Sequence, residues 1–361
     1  MSGRRDAGID AAKVLGAFLI LLCHVTLAYD IYNGTAFAGL PSAFVPPHMS
    51  TAEPNVLAFA LFVHMGKVGT SLFWTCSVWY MAGSPRVNRS RMAQMCADAS
   101  LIALLCLAFA LVRGWEVTPH YILLSVLPVP FSAYWYVTAY IVLYLAHPLI
   151  DAGLERADAE GHGRAVAASA LAYLVCGTLV SYAWLRSDMA DMLAKYVLVR
   201  YVRDTGALDS PRAAASALLA SVAAVDGCVA AAEVCGMALA WQADRVLACA
   251  SEANVADFAL GLSIMALMRT HGVRGRRWEA LSSTTLLTYL VSDNPIVRDR
   301  VRSHGISWLA GTVPYRLAVP FTLMLTAAAF ACLVAFALVW RRTVGRVERA
   351  AIGRASKGRG L

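Results

Sequence analysis

The chain has 361 residues, of which 59% are hydrophobic and 15% charged, with a mean hydropathy of +0.59. Long apolar blocks separated by short polar segments exclude an ordinary soluble domain and predict an all-α, polytopic integral membrane protein. The net charge of +8 is concentrated in short loops and the C-terminal tail, which favours contact with anionic lipid over nucleic acid.

The apolar blocks define eleven candidate spans. Some are short enough to be halves of a broken helix, so we expect about ten crossings. Their approximate bounds are 9–29, 56–66, 68–82, 97–113, 121–130, 134–150, 165–185, 214–241, 254–269, 281–296 and 316–340. We expect residues 1–345 to form one membrane-embedded domain and residues 346–361 to form a disordered, basic cytoplasmic tail.

The distribution of basic residues predicts the topology. Arginines cluster before the first span, in the loops near 84–94 and 270–278, and in the tail, whereas the segment 30–54 has no lysine or arginine. Because Lys/Arg-rich short loops stay cytoplasmic, we expect both termini and these loops inside and the 30–55 loop outside. This arrangement predicts a multi-pass protein of the cell membrane.

The first span carries three polar residues on one stripe, Asp10, Lys13 and His24. At about 100° per residue, Lys13 and His24 are about 20° apart around the helix and about 16 Å apart along it. Ionisable groups are costly in lipid, so this stripe should face a protein interior or a water-filled cavity. A packing histidine is one interpretation, and a site of proton chemistry is the other.

The second polar segment is VGTSLFWTCSVWYMAGSPRVNRSRM, in which Ser77 precedes Arg89 and Arg91. The two arginines fall at the predicted cytoplasmic boundary, where they either fix the topology or bind the phosphates of a donor such as coenzyme A. The hydroxyl groups of Ser71, Thr75 and Ser77 can equally bond to the preceding helical turn.

The third polar segment is LSSTTLLTYLVSDNPIVRDRVRSHG. Tyr289 and Asp293 share a helix face, and Asn294 with Pro295 should end or kink the helix. Arg298 follows on the predicted outer side, against the usual charge bias. Its partners would be nearby acidic residues or an anionic ligand; an amphipathic helix cap is the alternative.

No metal or nucleotide motif is present. The sequence lacks CxxC, HxxxH, HExxH, Walker and GxGxxG patterns, so we expect no structural metal, no disulfide framework and no permanently bound cofactor. Asp226 and Glu233, both within the block 214–241, share a helix face and could line a polar cavity. They keep a transport function open.

These segments, in this order, resemble acyltransferase family three, integral membrane proteins that O-acylate surface glycans. Lys13 and His24 are similar to its first-helix pattern, in which the basic residue is usually arginine. LFWTCSVWYMAG resembles its FF..SG segment, but Val78 replaces glycine; YWYVTAYIVLYLAHPLI resembles its aromatic span. STTLLTYLVSDNPIVR resembles the TFGVYLIHDNP.VR stretch of relatives linked to exopolysaccharide, but Ser292 replaces histidine.

The resemblance implies transfer of an acyl group, acetyl above all, from cytosolic acyl-CoA to a hydroxyl of a cell-surface or lipid-linked glycan. It implies His24 as general base, with Lys13 and Asp10 steadying the donor or tuning the potential of the cavity. Arg89, Arg91 and Ser77 would then bind the donor. The acceptor would contact Tyr289, Asp293, Asn294 and Arg298.

Three alternatives stay open at this stage. His24 could itself become acylated, although direct attack by the acceptor is favoured because no Ser-His-Asp set is evident. A transporter or flippase of a glycan precursor would also have about ten spans around a polar path. The substitutions at Val78 and Ser292 would also suit a catalytically inactive relative.

Overall fold

The computed structural model describes residues 6–27, 54–84, 86–157, 159–171, 188–223, 255–306 and 313–357. Within these ranges every regular element is a helix. The first half contains α1 (Ala7–Leu27), α2 (Pro54–Met81), α3 (Arg89–Val112), α4 (Pro119–Val126), α5 (Trp135–Arg156) and α6 (Ala159–Ser169). The second half contains α7 (Asp188–Thr205), α8 (211–223), α9 (Val255–Thr270), α10 (Arg276–Ser282), α11 (Thr285–Ser292), a π-helix (Val297–Ile306), a 3₁₀ turn (Tyr315–Leu317), α12 (Ala318–Arg342) and α13 (Val344–Lys357).

Four of the described helices, α1, α3, α5 and α12, are long and apolar enough to cross a membrane. Large apolar side chains on α3 and α12 point away from the protein: Phe109 is 53% exposed and Met324 63%. Such apolar exposure is costly in water and is expected where helices face lipid. The protein is therefore an all-helical membrane protein.

The structure corrects several expected boundaries. The segments 56–66 and 68–82 are one continuous helix, α2, because Gly66 and Lys67 between them are helical. The segment 121–130 contains only α4, whose eight residues are too short to cross a bilayer. The tail after residue 345, expected to be disordered, is helical to Lys357.

The predicted span 281–296 is also interrupted, at Ser283 and Thr284 between α10 and α11. The Ser283 hydroxyl donates to the Ala280 carbonyl (2.7 Å) and the Thr284 hydroxyl to the Leu281 carbonyl (2.7 Å). Hydroxyl groups that bond back to the preceding turn compete with the regular ladder of the helix. This run of hydroxyl residues explains the break.

Helix α1 packs against α2 and α9 through glycines. A Cβ atom at Gly16 would lie 2.9 Å from the Gly69 carbonyl oxygen on α2, and one at Gly66 only 2.2 Å from the Cys23 Cβ atom. Gly8 meets the backbone of Met268 on α9 in the same way. Small residues allow helix backbones to approach closely, which makes α1 the centre of the bundle.

The bundle has two ends with different chemistry. The start of α1 meets the ends of α2 and α9, since the Asp6 amide donates to the Tyr80 hydroxyl (3.0 Å) and Gly8 touches Met268. We call this the basic end, because Arg89, Arg269 and the last turn of α12 also lie there. The other, named the His24 end, is where α1 and α11 finish.

Candidate functional site

His24 and Asp293 come together at the His24 end of the bundle. The His24 Nε2 atom lies 3.7 Å from the Asp293 Oδ1 atom, and their side chains are 16% and 10% exposed. His24 is in the last turn of α1, and Asp293 is the C-terminal cap of α11. The carboxylate thus lies beside the ring nitrogen that would carry a transferred proton.

Asn294 fixes the chain directly after Asp293. Its side-chain amide donates to the Tyr134 hydroxyl (2.8 Å), and its oxygen accepts from the Ile296 amide (3.0 Å). Asn294 is 1% exposed. Both side-chain groups are thus used in holding the turn, so this residue orients Asp293 from the neighbouring position.

An aromatic run connects the two ends of the α1 stripe. The ring of Tyr289 lies 5.8 Å from that of Tyr136, which lies 5.2 Å from Phe73. The Lys13 ammonium lies 4.8 Å from the centre of the Phe73 ring, a cation–π contact. Tyr289, four residues before Asp293, stands at the His24 end of this run. The contact between Phe73 and Lys13 was not predicted from the sequence.

Asp10 is buried in the bundle, and Lys13 is partly buried. Asp10 is 1% exposed, and both residues lie within electrostatic range of the buried Cys76 on α2. They therefore face protein, as the polar stripe predicts. Their position is on the basic side of His24, consistent with the helical distance of about 16 Å between Lys13 and His24.

The hydroxyl groups of α2 bond to their own helix. Thr75 donates to the Ser71 carbonyl (2.7 Å), and Ser77 donates to the Phe73 carbonyl (2.9 Å). The Ser77 oxygen also accepts from the Tyr136 hydroxyl at 3.5 Å. Ser77 is thus part of the wall beside the aromatic run, and Val78 next to it is fully buried.

Arg89 and Arg91 lie in the first turn of α3 with exposed side chains. The Asn88 side chain accepts a hydrogen bond from the Arg91 amide (2.9 Å) and so caps the helix. The guanidinium groups are at the basic end and accessible from outside the protein. An N-cap that starts the helix here determines the direction in which both arginines point.

The turn between α2 and α3 is held by residues that the sequence analysis did not single out. Asp151 on α5 accepts from the Gly83 amide (2.8 Å), and the Tyr144 hydroxyl accepts from the Asn88 amide (3.0 Å). Gly83 has φ +71°, a conformation that favours glycine. The sequence feature that could have indicated these contacts is a charged residue, Asp151, at the end of an apolar span.

His147 reinforces the same turn. Its Nδ1 atom lies 2.7 Å from the Tyr144 carbonyl oxygen and its Nε2 atom 3.0 Å from that of Ser84. The two ring nitrogens thus join α5 to the turn between α2 and α3. His147 is fully buried, so these two contacts define its role.

Asp151 is also the centre of a buried polar cluster with α7. It accepts from the Tyr196 hydroxyl (2.7 Å) and lies 3.0 Å from an Arg200 nitrogen. Arg203, one turn further along α7, donates to the Trp79 carbonyl (3.1 Å) and to that of Ala82. The turn that leads to Arg89 is therefore fixed by two neighbouring helices.

Two further buried polar contacts lie outside these groups. The His64 Nε2 atom is 2.9 Å from an Asp257 oxygen, which joins α2 to α9. Lys195 lies 2.7 Å from Asp191 within α7. All of these side chains are largely buried. Their signal in the sequence was the presence of charged residues inside otherwise apolar segments.

Arg298 lies at the protein surface in the π-helix, and its guanidinium is 3.5 Å from Asp299. Asp299 also accepts from the Tyr121 hydroxyl. The expectation that nearby acidic residues pair with Arg298 thus applies to Asp299, whereas Asp293 pairs with His24. Ser292 bonds back to the Tyr289 carbonyl at 3.2 Å.

The acidic residues Asp226 and Glu233 and the 30–55 loop lie outside the described residues. A comparison of the chain with protein-family models, with curated proteins and with solved structures finds no match.

Proposed function

We propose that this protein is a membrane O-acyltransferase that moves an acyl group, acetyl in the simplest case, from acyl-CoA to a hydroxyl of a cell-surface or lipid-linked glycan. The observation that carries the proposal is the contact of His24 with Asp293 inside an apolar bundle. An imidazole with a carboxylate neighbour, sheltered from bulk water, is suited to accept a proton from a hydroxyl.

In the proposed reaction His24 removes the proton from the acceptor hydroxyl, and Asp293 stabilises the imidazolium that forms. The acceptor oxygen attacks the thioester carbonyl, a C–O bond forms and the C–S bond breaks. The imidazolium then returns the proton to the departing thiolate, so that His24 is neutral again. Direct attack is favoured over an acyl-histidine because it needs no second nucleophile.

The donor would enter from the basic end. Arg89 and Arg91 are exposed there on a turn that Asp151 and His147 hold in place, and guanidinium groups suit phosphate oxygens. The thioester would extend toward His24 past Lys13 and the wall that contains Ser77. Asp10 would set the potential beside Lys13.

The acceptor would bind at the His24 end, where Asp293 lies beside His24 and Tyr289 stands one helical turn before Asp293. Asn294 acts through the turn that it holds, and Arg298, paired with Asp299 at the surface, would contact a sugar or a lipid-linked phosphate. This division, with the donor at one end and the acceptor at the other, requires a protein of the cell membrane whose basic end faces the cytoplasm.

Transport of a glycan or its lipid-linked precursor is the second candidate. The buried His64–Asp257 contact favours it, because ionisable residues inside transporters mark ion and substrate pathways. The acyl-transfer chemistry does not use this pair. Replacement of His64 by Gln should leave acylation intact if the protein is an acyltransferase, and should abolish glycan export if it is a transporter.

The test of the proposed function is mass spectrometry of surface glycans from cells with the wild-type gene, a deletion or His24→Ala. We expect the acyl mass increment to disappear in both mutants while the amount of glycan stays constant. The matched control is His271→Ala, because His271 is exposed at the basic end. A loss of exported glycan with unchanged acylation would instead support transport, and full acylation by His24→Ala would refute the proposed role.

A further inference from the structure

The C-terminal helix α13 folds back onto α3. It begins two residues after α12 ends, and Gly345 and Glu348 on its inner face are buried. Trp340 in the last turn of α12 donates its indole N–H to Asp98 on α3 (3.0 Å). These contacts place α13 beside the first turns of α3, at the basic end.

Glu348 and Asp98 form the inner contact of α13. Asp98 is 3% exposed and Glu348 7%, and the two carboxyl groups are close enough to interact directly. Two buried carboxylates repel each other, so the contact is more favourable when Glu348 is protonated than when it is charged. Arg341 and Arg349 stand nearby and offset part of the remaining negative charge.

The outer face of α13 is basic. The side chains of Arg346 and Arg354 are exposed, and Val347 beside Arg346 is 70% exposed. These residues lie away from the face that contacts α3. The helix thus combines a packed inner side with a cationic surface that includes an apolar side chain.

This surface lies where the apolar surface of the bundle ends. Val339 on α12 is 59% exposed and Leu101 on α3 is 38% exposed, and α13 contacts both helices on the basic side of these residues. The span α12 ends at Arg341 and Arg342. A helix at this height is level with lipid headgroups, where basic amphipathic helices bind.

We propose that the outer face of α13 binds the headgroups of anionic lipids in the leaflet at the basic end. Arg346 and Arg354 supply the complementary charge, and Val347 reaches the boundary of the acyl chains. The Asp98–Glu348 contact keeps the helix in this position. The inference does not depend on the proposed acyl transfer.

The test is native mass spectrometry of the full-length protein titrated with phosphatidylglycerol and, separately, with phosphatidylcholine. Each basic residue near an anionic surface contributes about fivefold to binding. We therefore expect R346Q/R354Q to lower the apparent affinity for phosphatidylglycerol at least tenfold, with little change for phosphatidylcholine.

The matched control is R274Q/R276Q, which removes the same charge from exposed positions at the same end. We expect it to lose less affinity for phosphatidylglycerol than the tail variant, because the tail arginines flank an apolar side chain that reaches the acyl chains. Replacement of the two tail arginines by lysine should preserve binding, since the attraction needs charge rather than guanidinium geometry. Unchanged binding by the tail glutamine variant, an equal loss in the loop variant, or full competition by inorganic phosphate would overturn the proposal.

Discussion

At the scale of single residues, the role proposed for His24 depends on a residue that is distant in the sequence. Asp293 lies 3.7 Å from it, at the end of a short helix that Asn294 and Tyr134 hold in place. Without this carboxylate, His24 would be a packing histidine in an apolar helix. The contact therefore supports the proposed proton-transfer role of His24.

Replacement of Asp293 by Asn should lower the rate of acyl transfer at least tenfold, because the amide no longer stabilises the imidazolium at His24. The measurement is acyl transfer from labelled acyl-CoA to isolated glycan by the purified protein. The matched control is Asp299→Asn, which changes an aspartate that pairs with Arg298 at the surface. Equal rates for Asp293→Asn and the wild type would exclude a proton-transfer role for the pair.

The sequence predicted the polar stripe on α1 and the shared face of Tyr289 and Asp293, because helical spacing alone determines both. It could not predict that Asp293 would contact His24, since that distance depends on how α11 packs. The contacts that hold the turn between α2 and α3 were not predicted, for the same reason. Asp151 and His147 looked like the polar end of a span, and only packing brings them to Gly83 and Ser84.

At the scale of helices, close glycine contacts position α1 against its neighbours. Gly16→Ala should destabilise the protein by about 1–3 kcal/mol, because the added Cβ would meet the Gly69 backbone. Tryptophan fluorescence during thermal unfolding in detergent measures this loss of stability. In Gly153→Ala, the added Cβ meets nothing within 4 Å, so the melting temperature should stay the same or rise. Equal melting temperatures for Gly16→Ala and the wild type would contradict the tight crossing.

The docking of α13 should depend on pH. Burial, together with the neighbouring Asp98, raises the pKa of Glu348 from 4.5 to about 7. Because this pKa is higher in the docked state, the stabilisation is complete below about pH 4.5 and is lost as the pH rises through about 7. Arg341 and Arg349 oppose the shift without reversing its direction.

Hydrogen exchange of residues 344–357, corrected for the intrinsic effect of pH, measures this docking. We expect protection to decrease between pH 6 and pH 8 in the wild type. In Glu348→Gln it should vary little, because glutamine has no titrating proton at this position. A wild-type tail that is equally protected at both pH values would show that deprotonation of Glu348 does not weaken the docking of α13.

At the scale of the whole molecule, basic residues from distant parts of the sequence lie at one end of the bundle. They come from the starts of α3 and α10, the end of α9 and the last helix. Under the positive-inside rule we expect this end to face the cytoplasm. The same orientation is required if cytosolic acyl-CoA is the donor.

Reporter fusions at the C-terminus test this orientation in a bacterial host. We expect a fluorescent-protein fusion at residue 361 to be bright and an alkaline phosphatase fusion to be inactive, because the tail should stay in the cytoplasm. A fusion that replaces the chain after Arg113, at the far end of α3, should give the opposite pair of signals. Phosphatase activity at the C-terminus would show that the basic end faces outward.

Composition and apolar blocks were sufficient to identify an all-helical membrane protein, because the cost of burying polar groups in lipid acts on each segment separately. They led to wrong boundaries for α2 and α4, and they predicted neither the break before α11 nor the helix in the tail. These boundaries depend on local hydrogen bonds and on contacts with other helices. The residue pairs of the site, His24 with Asp293, Asp151 with Gly83 and Asp98 with Glu348, join distant parts of the chain, so only tertiary packing could decide them.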